Sequence, residues 1–194
     1  MIFGVEYNSP GHVTVTVAAD ATRIGGLCGG YPQDRCAALA ALFSEARIPA
    51  EPADDILRSI WGKVLYNCAL NPLATLMEVH YGMLLSSQSA RDIMRHIIAE
   101  IFAVAGKLSI RLDWDRPEQY AEHLFDVLVP KTFDHHPSML QDIRRGKRTE
   151  IDSLNGAIAA YGRRVGCAVP YNTTIRDLIR ARESLCRTPR RSTV

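Results

Sequence analysis

A polar stripe formed by Lys63, Asn67 and Asn71 interrupts a stretch of residues that is otherwise apolar or small. The three residues are four positions apart, and on a helix this spacing places them above one another on one face. A helix face that only meets water normally carries Glu, Lys or Arg, whereas asparagine competes for backbone hydrogen bonds and disfavours helices. The two asparagines therefore indicate directed donors and acceptors in a cleft. The spacing leaves a second interpretation open, in which the stripe is the edge of a buried helix that touches water.

Lys63 is the residue of this stripe that could take part in proton transfer. Apolar neighbours favour the neutral form of a lysine, so such a lysine can give up a proton near neutral pH. The asparagines beside it could orient a substrate hydroxyl or carbonyl. Pro72 follows the stripe directly, and because it has no N–H it cannot bond the carbonyl of Cys68 and is expected to kink the helix.

Residues 134–152 hold a second group of polar side chains. His135 and His136 are adjacent but lack the spacing of a zinc motif, so no metal site is predicted. Ser138 is predicted in a loop, where an ordinary hydrogen-bonding role is favoured over a nucleophilic one because the sequence places no base beside it. Glu150 is predicted at a helix N-terminus, where the helix dipole favours a carboxylate. Completing a helix cap is the alternative to a functional role for Glu150.

The composition of the chain limits the class of protein. Its 194 residues include 23 basic and 21 acidic side chains, and this balance argues against a nucleic-acid or anionic-membrane partner. Five cysteines without CxxC spacing favour a reducing compartment over a disulfide framework. No apolar run approaches the ~20 residues of a membrane span, and no signal peptide is visible at the start. We therefore expect a soluble, cytoplasmic protein.

Residues 1–55 differ in pattern from the rest of the chain. They contain alternating β-branched residues over 13–17 and a second predicted strand over 23–27 that ends in Cys28-Gly29-Gly30. Helical spacing follows over 34–47, and the residues available for its buried face are Ala37, Leu39, Ala41, Leu42, Phe43 and Ala46. So few strands with one helix would leave sheet edges unpaired. We therefore interpret residues 1–55 as the remnant of a larger α/β domain.

From residue 56 the spacing is helical and predicts a mainly α domain over residues 56–186. Asp54 or Asp55 could cap its first helix, and Thr149 with Asp152 could form a capping box on a later one. The last residues, 187–194, are basic and without periodicity, and are predicted to be a flexible tail. The predicted helices span 56–77, 89–108, 118–128, 149–165 and 173–185.

The chain contains four motifs in a fixed order, namely Trp61-x-Lys63-x-x-x-Asn67-x-x-x-Asn71-Pro72-Leu73, Ser138-Met139-Leu140-Gln141-Asp142-Ile143, Thr149-Glu150-Ile151-Asp152-x-Leu154-Asn155-Gly156 and Gly166-x-x-x-Pro170-x-Asn172. Their order and spacing resemble the ketopantoate reductases, from the first predicted strands to about Glu183. The resemblance implies a helical dehydrogenase C-terminal domain, similar to that of 6-phosphogluconate dehydrogenase, behind a remnant of a Rossmann domain. It implies NADPH-dependent reduction of 2-dehydropantoate (ketopantoate) to pantoate, on the route to pantothenate and coenzyme A.

The resemblance also implies a role for each site residue. Lys63 would act as general acid toward the ketone oxygen, where the arriving hydride leaves an alkoxide. Asn67 and Asn71 would hold the substrate, and Ser138 would bond its carboxylate. Glu150 would bind the substrate hydroxyl and help to orient the substrate, with a weaker expected contact to the cofactor.

One departure from the family pattern concerns the cofactor. A Rossmann domain carries a GxGxxG turn that binds the pyrophosphate, and Gly25-Gly26-Leu27-Cys28-Gly29-Gly30 has a different spacing. We therefore expect a truncated protein with no complete NADPH site, inactive by itself. Two alternatives stay open: a non-catalytic binding or dimerisation module, with a homodimer favoured by exposed strands, and a reductase of another 2-keto acid.

Overall fold

The computed structural model describes residues 3–18, 21–27 and 32–187. The chain divides into two compact units, Met1–Gly62 and Lys63–Val194. The prediction of a mainly helical protein with a few strands at its front is confirmed. The predicted strand end Cys28-Gly29-Gly30 and residues 188–194 of the predicted tail lie outside the described residues.

The first unit contains two pairs of strands. Strands β1 (Phe3–Ser9) and β2 (His12–Ala18) are antiparallel and joined by a turn at Gly11, whose φ of 81° suits glycine because it has no Cβ. Strands β3 (Thr22–Ile24) and β4 (Ala50–Pro52) are parallel. A parallel pair needs a crossover connection, and helix α1 (Gln33–Glu45) lies in it. This β–α–β order is typical of α/β domains.

Two sequence-based expectations for this unit were wrong in detail. β3 ends at Ile24, so it is shorter than the predicted strand over 23–27. The buried face of α1 consists of Cys36 and Ala40, whereas Leu39 and Leu42, which we expected to be buried, are exposed among the described residues. The helical spacing was compatible with either face, so spacing alone could not select it.

Helix α2 (Ile56–Met77) begins in the first unit and ends in the second, with the bounds that the sequence predicted. Asp55 supplies its cap, because the Leu57 N–H donates to Asp55 Oδ1 at 3.2 Å. Nearly every side chain from Leu65 to Thr75 is buried, which is typical of a central core helix. The remaining helical elements are α3 (Tyr81–Leu85), α4 (Gln88–Lys107), α5 (Pro117–His123), a π-helical segment (Leu124–Leu128), α6 (Val129–Lys131), α7 (Ser138–Arg144), α8 (Asn155–Val165) and α9 (Pro170–Arg187).

The start of α8 differs from its prediction. The helix begins at Asn155 and not at Thr149, and residues 151–154 form a turn before it. The expected capping box is absent, because Thr149 Oγ1 accepts the Ile151 N–H at 3.3 Å and Asp152 pairs with Arg180 instead. The short helices α3 and α7 were not predicted. Within the described ranges, no helix combines the length and apolar content that crossing a bilayer requires.

Candidate active site

The three residues of the stripe differ in exposure along α2. Lys63 is exposed, Asn67 is half-buried, and Asn71 is 5% exposed. The stripe therefore leads from the surface of the second unit into its core. The described residues do not bury the Lys63 ammonium group, so the desolvation that we expected from its apolar neighbours is not provided by this part of the chain.

Asn71, at the inner end of the stripe, is held by Tyr81 at the start of α3. The Tyr81 O–H donates to Asn71 Oδ1. The Tyr81 ring meets the ring of Tyr66 edge-on, with centroids 5.9 Å apart, and the Tyr66 hydroxyl shares a hydrogen bond of 2.8 Å with Thr132 Oγ1. Burial raises the pKa of the Tyr81 phenol, as do the nearby Tyr66 and Glu150, so this phenol keeps its proton and remains a donor.

Glu150 is close enough to α2 and α3 to act on them electrostatically. Burial is the main reason that the pKa values of Cys68 and Tyr81 are raised, and the negative charge of Glu150 raises both further. Cys68 follows Asn67 on α2, and Tyr81 bonds Asn71. The Glu150 carboxylate therefore lies within electrostatic range of Cys68 and Tyr81, although it follows Asn71 by 79 positions in the sequence. The fold, rather than proximity in the sequence, brings Glu150 to this position.

The turn that carries Glu150 is fixed by α9. The Thr149 N–H donates to Glu183 Oε1 at 2.6 Å, and Arg180 pairs with Asp152 at 2.6 Å. We expected Glu150 in the first turn of a helix, but α8 begins only at Asn155, so this expectation was wrong. Contacts with α9, and not the dipole of α8, explain why Glu150 is held where it is.

Ser138 is the first residue of α7 and is exposed, whereas the sequence predicted it in a loop. The segment before it is tied to α3, because the Tyr81 N–H donates to the His135 carbonyl at 3.1 Å and the two rings lie 5.2 Å apart. Among the described residues, no hydrogen bond joins Ser138 to Asn71 or Glu150. Ser138 is thus linked to the stripe through the segment that contacts Tyr81.

The adjacent histidines have structural contacts. The ring of His136 meets that of His80 at 6.0 Å, and His135 packs against Tyr81. Within the described residues, no group of three or more His, Cys, Asp or Glu side chains is arranged to hold a metal ion.

A buried network around the Cys68 carbonyl was missed by the sequence analysis. Pro72 leaves this carbonyl without its helical donor, and Asn155 Nδ2 donates to it at 3.2 Å. Asn155 Nδ2 also donates to Asn172 Oδ1 at 3.0 Å, and Asn172 Nδ2 donates to Glu100 Oε2 at 2.7 Å. A proline inside a buried helix was the available signal, because a buried carbonyl requires a donor from elsewhere.

The glycines of the first unit bear on whether this segment could hold the phosphates of a dinucleotide. A Cβ on Gly25 would lie 2.8 Å from the Ala53 carbonyl oxygen and 2.9 Å from Ile56 Cβ, so this glycine allows the end of β3 to pack closely against Ala53 and the start of α2. Gly29 and Gly30 lie outside the described residues. Gly25 therefore does not form part of a phosphate cradle, and we assign no step of the reaction to a cofactor bound by this segment.

Comparison with known proteins identifies the family. The family model for the C-terminal region of ketopantoate reductases (PanE/ApbA) matches residues 55–183. The 2-dehydropantoate 2-reductase of Aquifex aeolicus is 38% identical over 183 residues, which cover 94% of this chain and 59% of that protein. The chain thus spans about three fifths of the length of this relative.

Solved structures show the same likeness. A PanE/ApbA family ketopantoate reductase from Ralstonia eutropha has a TM-score of 0.80 and 30% identity, over 95% of this chain and 58% of its own. D-mandelate dehydrogenase, solved with NADH and anilino(oxo)acetate, has a TM-score of 0.85 and 29% identity, over 95% of this chain and 59% of its own. The chain belongs to the ketopantoate reductase family and matches its C-terminal region.

Proposed function

We propose that this chain is the substrate-binding part of an NADPH-dependent 2-dehydropantoate 2-reductase, which converts ketopantoate to pantoate. The observation that carries the proposal is the convergence on α2: Asn71 is held by Tyr81, and the charge of Glu150 acts on the same helix. Asn71 and Glu150 stand at motif positions on which the resemblance rests. The names of the relatives support the reaction class.

Each polar group has a part in the proposed reaction that follows from its chemistry. Reduction of a ketone adds a hydride to the carbonyl carbon, and the resulting alkoxide takes up a proton. Lys63 is proposed to donate that proton, while Asn67 and Asn71 hold the oxygen atoms of the substrate. NADPH, bound by the complete enzyme, would supply the hydride.

The charge of Glu150 determines which end of the substrate it can bind, the hydroxyl group or the carboxylate. An ionised carboxylate only accepts hydrogen bonds, so Glu150 suits the hydroxyl group of ketopantoate and repels its carboxylate. Ser138, which can donate, is proposed to bind the carboxylate. The hydroxyl group therefore distinguishes ketopantoate from 2-oxo acids that lack it.

A second candidate is a reductase of an aromatic 2-oxo acid. The likeness to D-mandelate dehydrogenase favours it, with a TM-score of 0.85. The 2-oxo acid that corresponds to mandelate has no hydroxyl group for Glu150 to bind. The two candidates therefore differ in how they respond to a change at Glu150.

Binding of pantoate and mandelate to this chain, measured by calorimetric titration, tests the proposal. We expect pantoate to bind more tightly, and Glu150→Gln to raise its Kd by roughly 10-fold or more, because a hydrogen bond to a charged group contributes about 1.5–3 kcal/mol. Glu122→Gln, at an exposed position of α5, is the matched control and should leave the Kd unchanged. Preferential binding of mandelate, insensitive to Glu150→Gln, would favour the second candidate.

The non-catalytic module is tested by turnover. We expect the isolated chain to oxidise no NADPH in the presence of ketopantoate, because Gly25 serves close packing and Gly25-Gly26-Leu27-Cys28-Gly29-Gly30 lacks the GxGxxG spacing. Turnover by the isolated chain would contradict both this expectation and the module interpretation. A homodimer and a cytoplasmic location complete the proposal, and sedimentation velocity of the purified chain tests the first of these.

A further inference from the structure

We propose that Tyr81 is a positioning residue that sets the direction of the Asn71 side-chain amide, so that Asn71 presents its Nδ2 donor, and not its oxygen, to an accepting oxygen atom of a ligand. The identity of that ligand, a 2-oxo acid or its 2-hydroxy acid, rests on the proposed function. The direction of the Asn71 amide does not rest on the proposed function, because it follows from contacts within the second unit.

The hydrogen-bond inventory of the pair determines the direction. The amide of asparagine has an accepting oxygen on one side and a donating NH₂ group on the other. The protonated phenol of Tyr81 donates to Asn71 Oδ1, and both side chains are buried, at 2% and 5% exposed. If the amide were turned around, the buried O–H would lose its acceptor, and an unsatisfied buried donor is costly.

The NH₂ group of Asn71 is consequently turned away from Tyr81. Within the described part of the chain, Nδ2 of Asn71 makes no hydrogen bond, while Oδ1 is engaged by Tyr81. Because Oδ1 is directed at Tyr81, the side of the amide that faces away from Tyr81 carries the donating NH₂ group. Such a group matches a ketone or carboxylate oxygen, which are the accepting atoms of a 2-oxo acid.

Tyr81 itself is held on several sides, which makes it a rigid support for Asn71. Its backbone N–H donates to the His135 carbonyl at 3.1 Å, and the next residue, Gly82, donates to the Phe133 carbonyl at 2.9 Å. A Cβ on Gly82 would lie 2.2 Å from the Phe133 ring, so only glycine allows this ring to pack against α3. The Tyr66 ring closes another side of Tyr81 at 5.9 Å.

Tyr81→Phe and Tyr66→Phe form a matched pair for the test. Each removes one buried phenol hydroxyl and leaves the ring in place, but only the Tyr81 hydroxyl bonds a residue of the stripe, since that of Tyr66 bonds Thr132. The first readout is the NMR order parameter of the Asn71 side-chain NH₂ group in the chain without ligand. The second is the Kd for pantoate.

We expect the Asn71 order parameter to fall in Tyr81→Phe and to stay unchanged in Tyr66→Phe. The Kd for pantoate should rise roughly 10-fold in Tyr81→Phe and less than about 2-fold in Tyr66→Phe. An order parameter that is unchanged in Tyr81→Phe, or that falls equally in both variants, would overturn the proposal. If the order parameters behave as expected while the unmodified chain binds neither pantoate nor ketopantoate, Tyr81 positions Asn71 but the proposed function fails.

Discussion

At the scale of single residues, the stripe on α2 combines two kinds of environment. Asn71 lies in the core, where a fixed partner determines which of its atoms a ligand can meet, whereas Lys63 is exposed. A buried amide gains selectivity from such a fixed orientation, because reversing it would leave a polar atom unpaired. An exposed ammonium group keeps its mobility and its hydration. The proposed division of work, with binding at the inner end and proton transfer at the outer end, follows this gradient.

The proton-donor role of Lys63 can be tested in a chimera that joins this chain behind the part of the Aquifex aeolicus relative that precedes the matched region. Lys63→Ala should lower kcat roughly 10²–10⁴-fold, the usual contribution of a general acid, and leave the KM for NADPH within about 2-fold. Lys107→Ala, an exposed lysine at the end of α4, removes the same charge as a control. A near-normal kcat in the Lys63 variant would end this assignment.

The sequence could predict the stripe but not its support. Lys63, Asn67 and Asn71 are visible because their spacing matches one helical turn, which is a local property. Tyr81 belongs to a short helix with little periodicity, and its contact with Asn71 depends on how the chain turns between α2 and α3. Glu150 was found as a residue, but its surroundings were predicted wrongly because they depend on α9.

At the scale of secondary-structure elements, Pro72 couples α2 to α8 and α9. It removes the donor for the Cys68 carbonyl within α2, and Asn155 at the start of α8 replaces that donor. Asn155 and Asn172 are both fully buried, so their hydrogen bonds are shielded from water. The start of α8 is thus held to α2 by a hydrogen bond to the Cys68 carbonyl, which in a helix without proline would accept the N–H four residues later.

A double-mutant cycle between Pro72→Ala and Asn155→Ala measures this coupling. Asn155→Ala alone should cost about 1–3 kcal/mol of unfolding free energy, because it leaves the buried Cys68 carbonyl unsatisfied. In the Pro72→Ala background the restored N–H can bond that carbonyl, so the cost should be smaller by about 1 kcal/mol. Urea unfolding followed by circular dichroism gives the four free energies. Strictly additive costs would show that Asn155 does not replace the missing donor.

The long helices could be predicted, whereas the boundaries near the site could not. α2 was predicted with its observed bounds because its apolar residues recur over many turns and Asp55 marks its start. The start of α8 was misplaced because Thr149 and Asp152 resemble a capping box, while tertiary partners, Glu183 and Arg180, use them differently. A helix start predicted from neighbouring residues is wrong where side chains from distant elements bind the same polar groups.

At the scale of the second unit, the C-terminal end of α2 is where α7 and α9 meet it. Arg182 of α9 donates to the Thr75 carbonyl at 2.6 Å and to the Leu76 carbonyl at 3.2 Å, two carbonyls in the last turn of the helix. It also pairs with Glu78, which pairs in turn with Arg144 of α7 at 3.2 Å. Glu78 therefore links three elements of the unit that carries the candidate site.

This link should make the stability of the unit depend on pH. The hydrogen bond from Arg144 lowers the pKa of Glu78 below its ordinary value of 4.5, and the hydrogen bond and charge of Arg182 lower it further. A lowered pKa in the folded state means that the unfolded chain binds the proton more readily. The stabilisation is therefore complete above pH 4.5 and is lost as the pH falls through the lower folded value.

Glu78→Gln should accordingly lower Tm at pH 7, and the difference from the unmodified chain should shrink as the pH falls below 4.5, where the unmodified glutamate also becomes neutral. Thermal melts between pH 7 and about pH 3 give this difference, and screening by salt should reduce it because the pairs are exposed. Glu122→Gln on α5 controls for the removal of one surface charge. A Tm difference for Glu78→Gln that stays constant over this pH range would show that the carboxylate charge does not hold α2, α7 and α9 together.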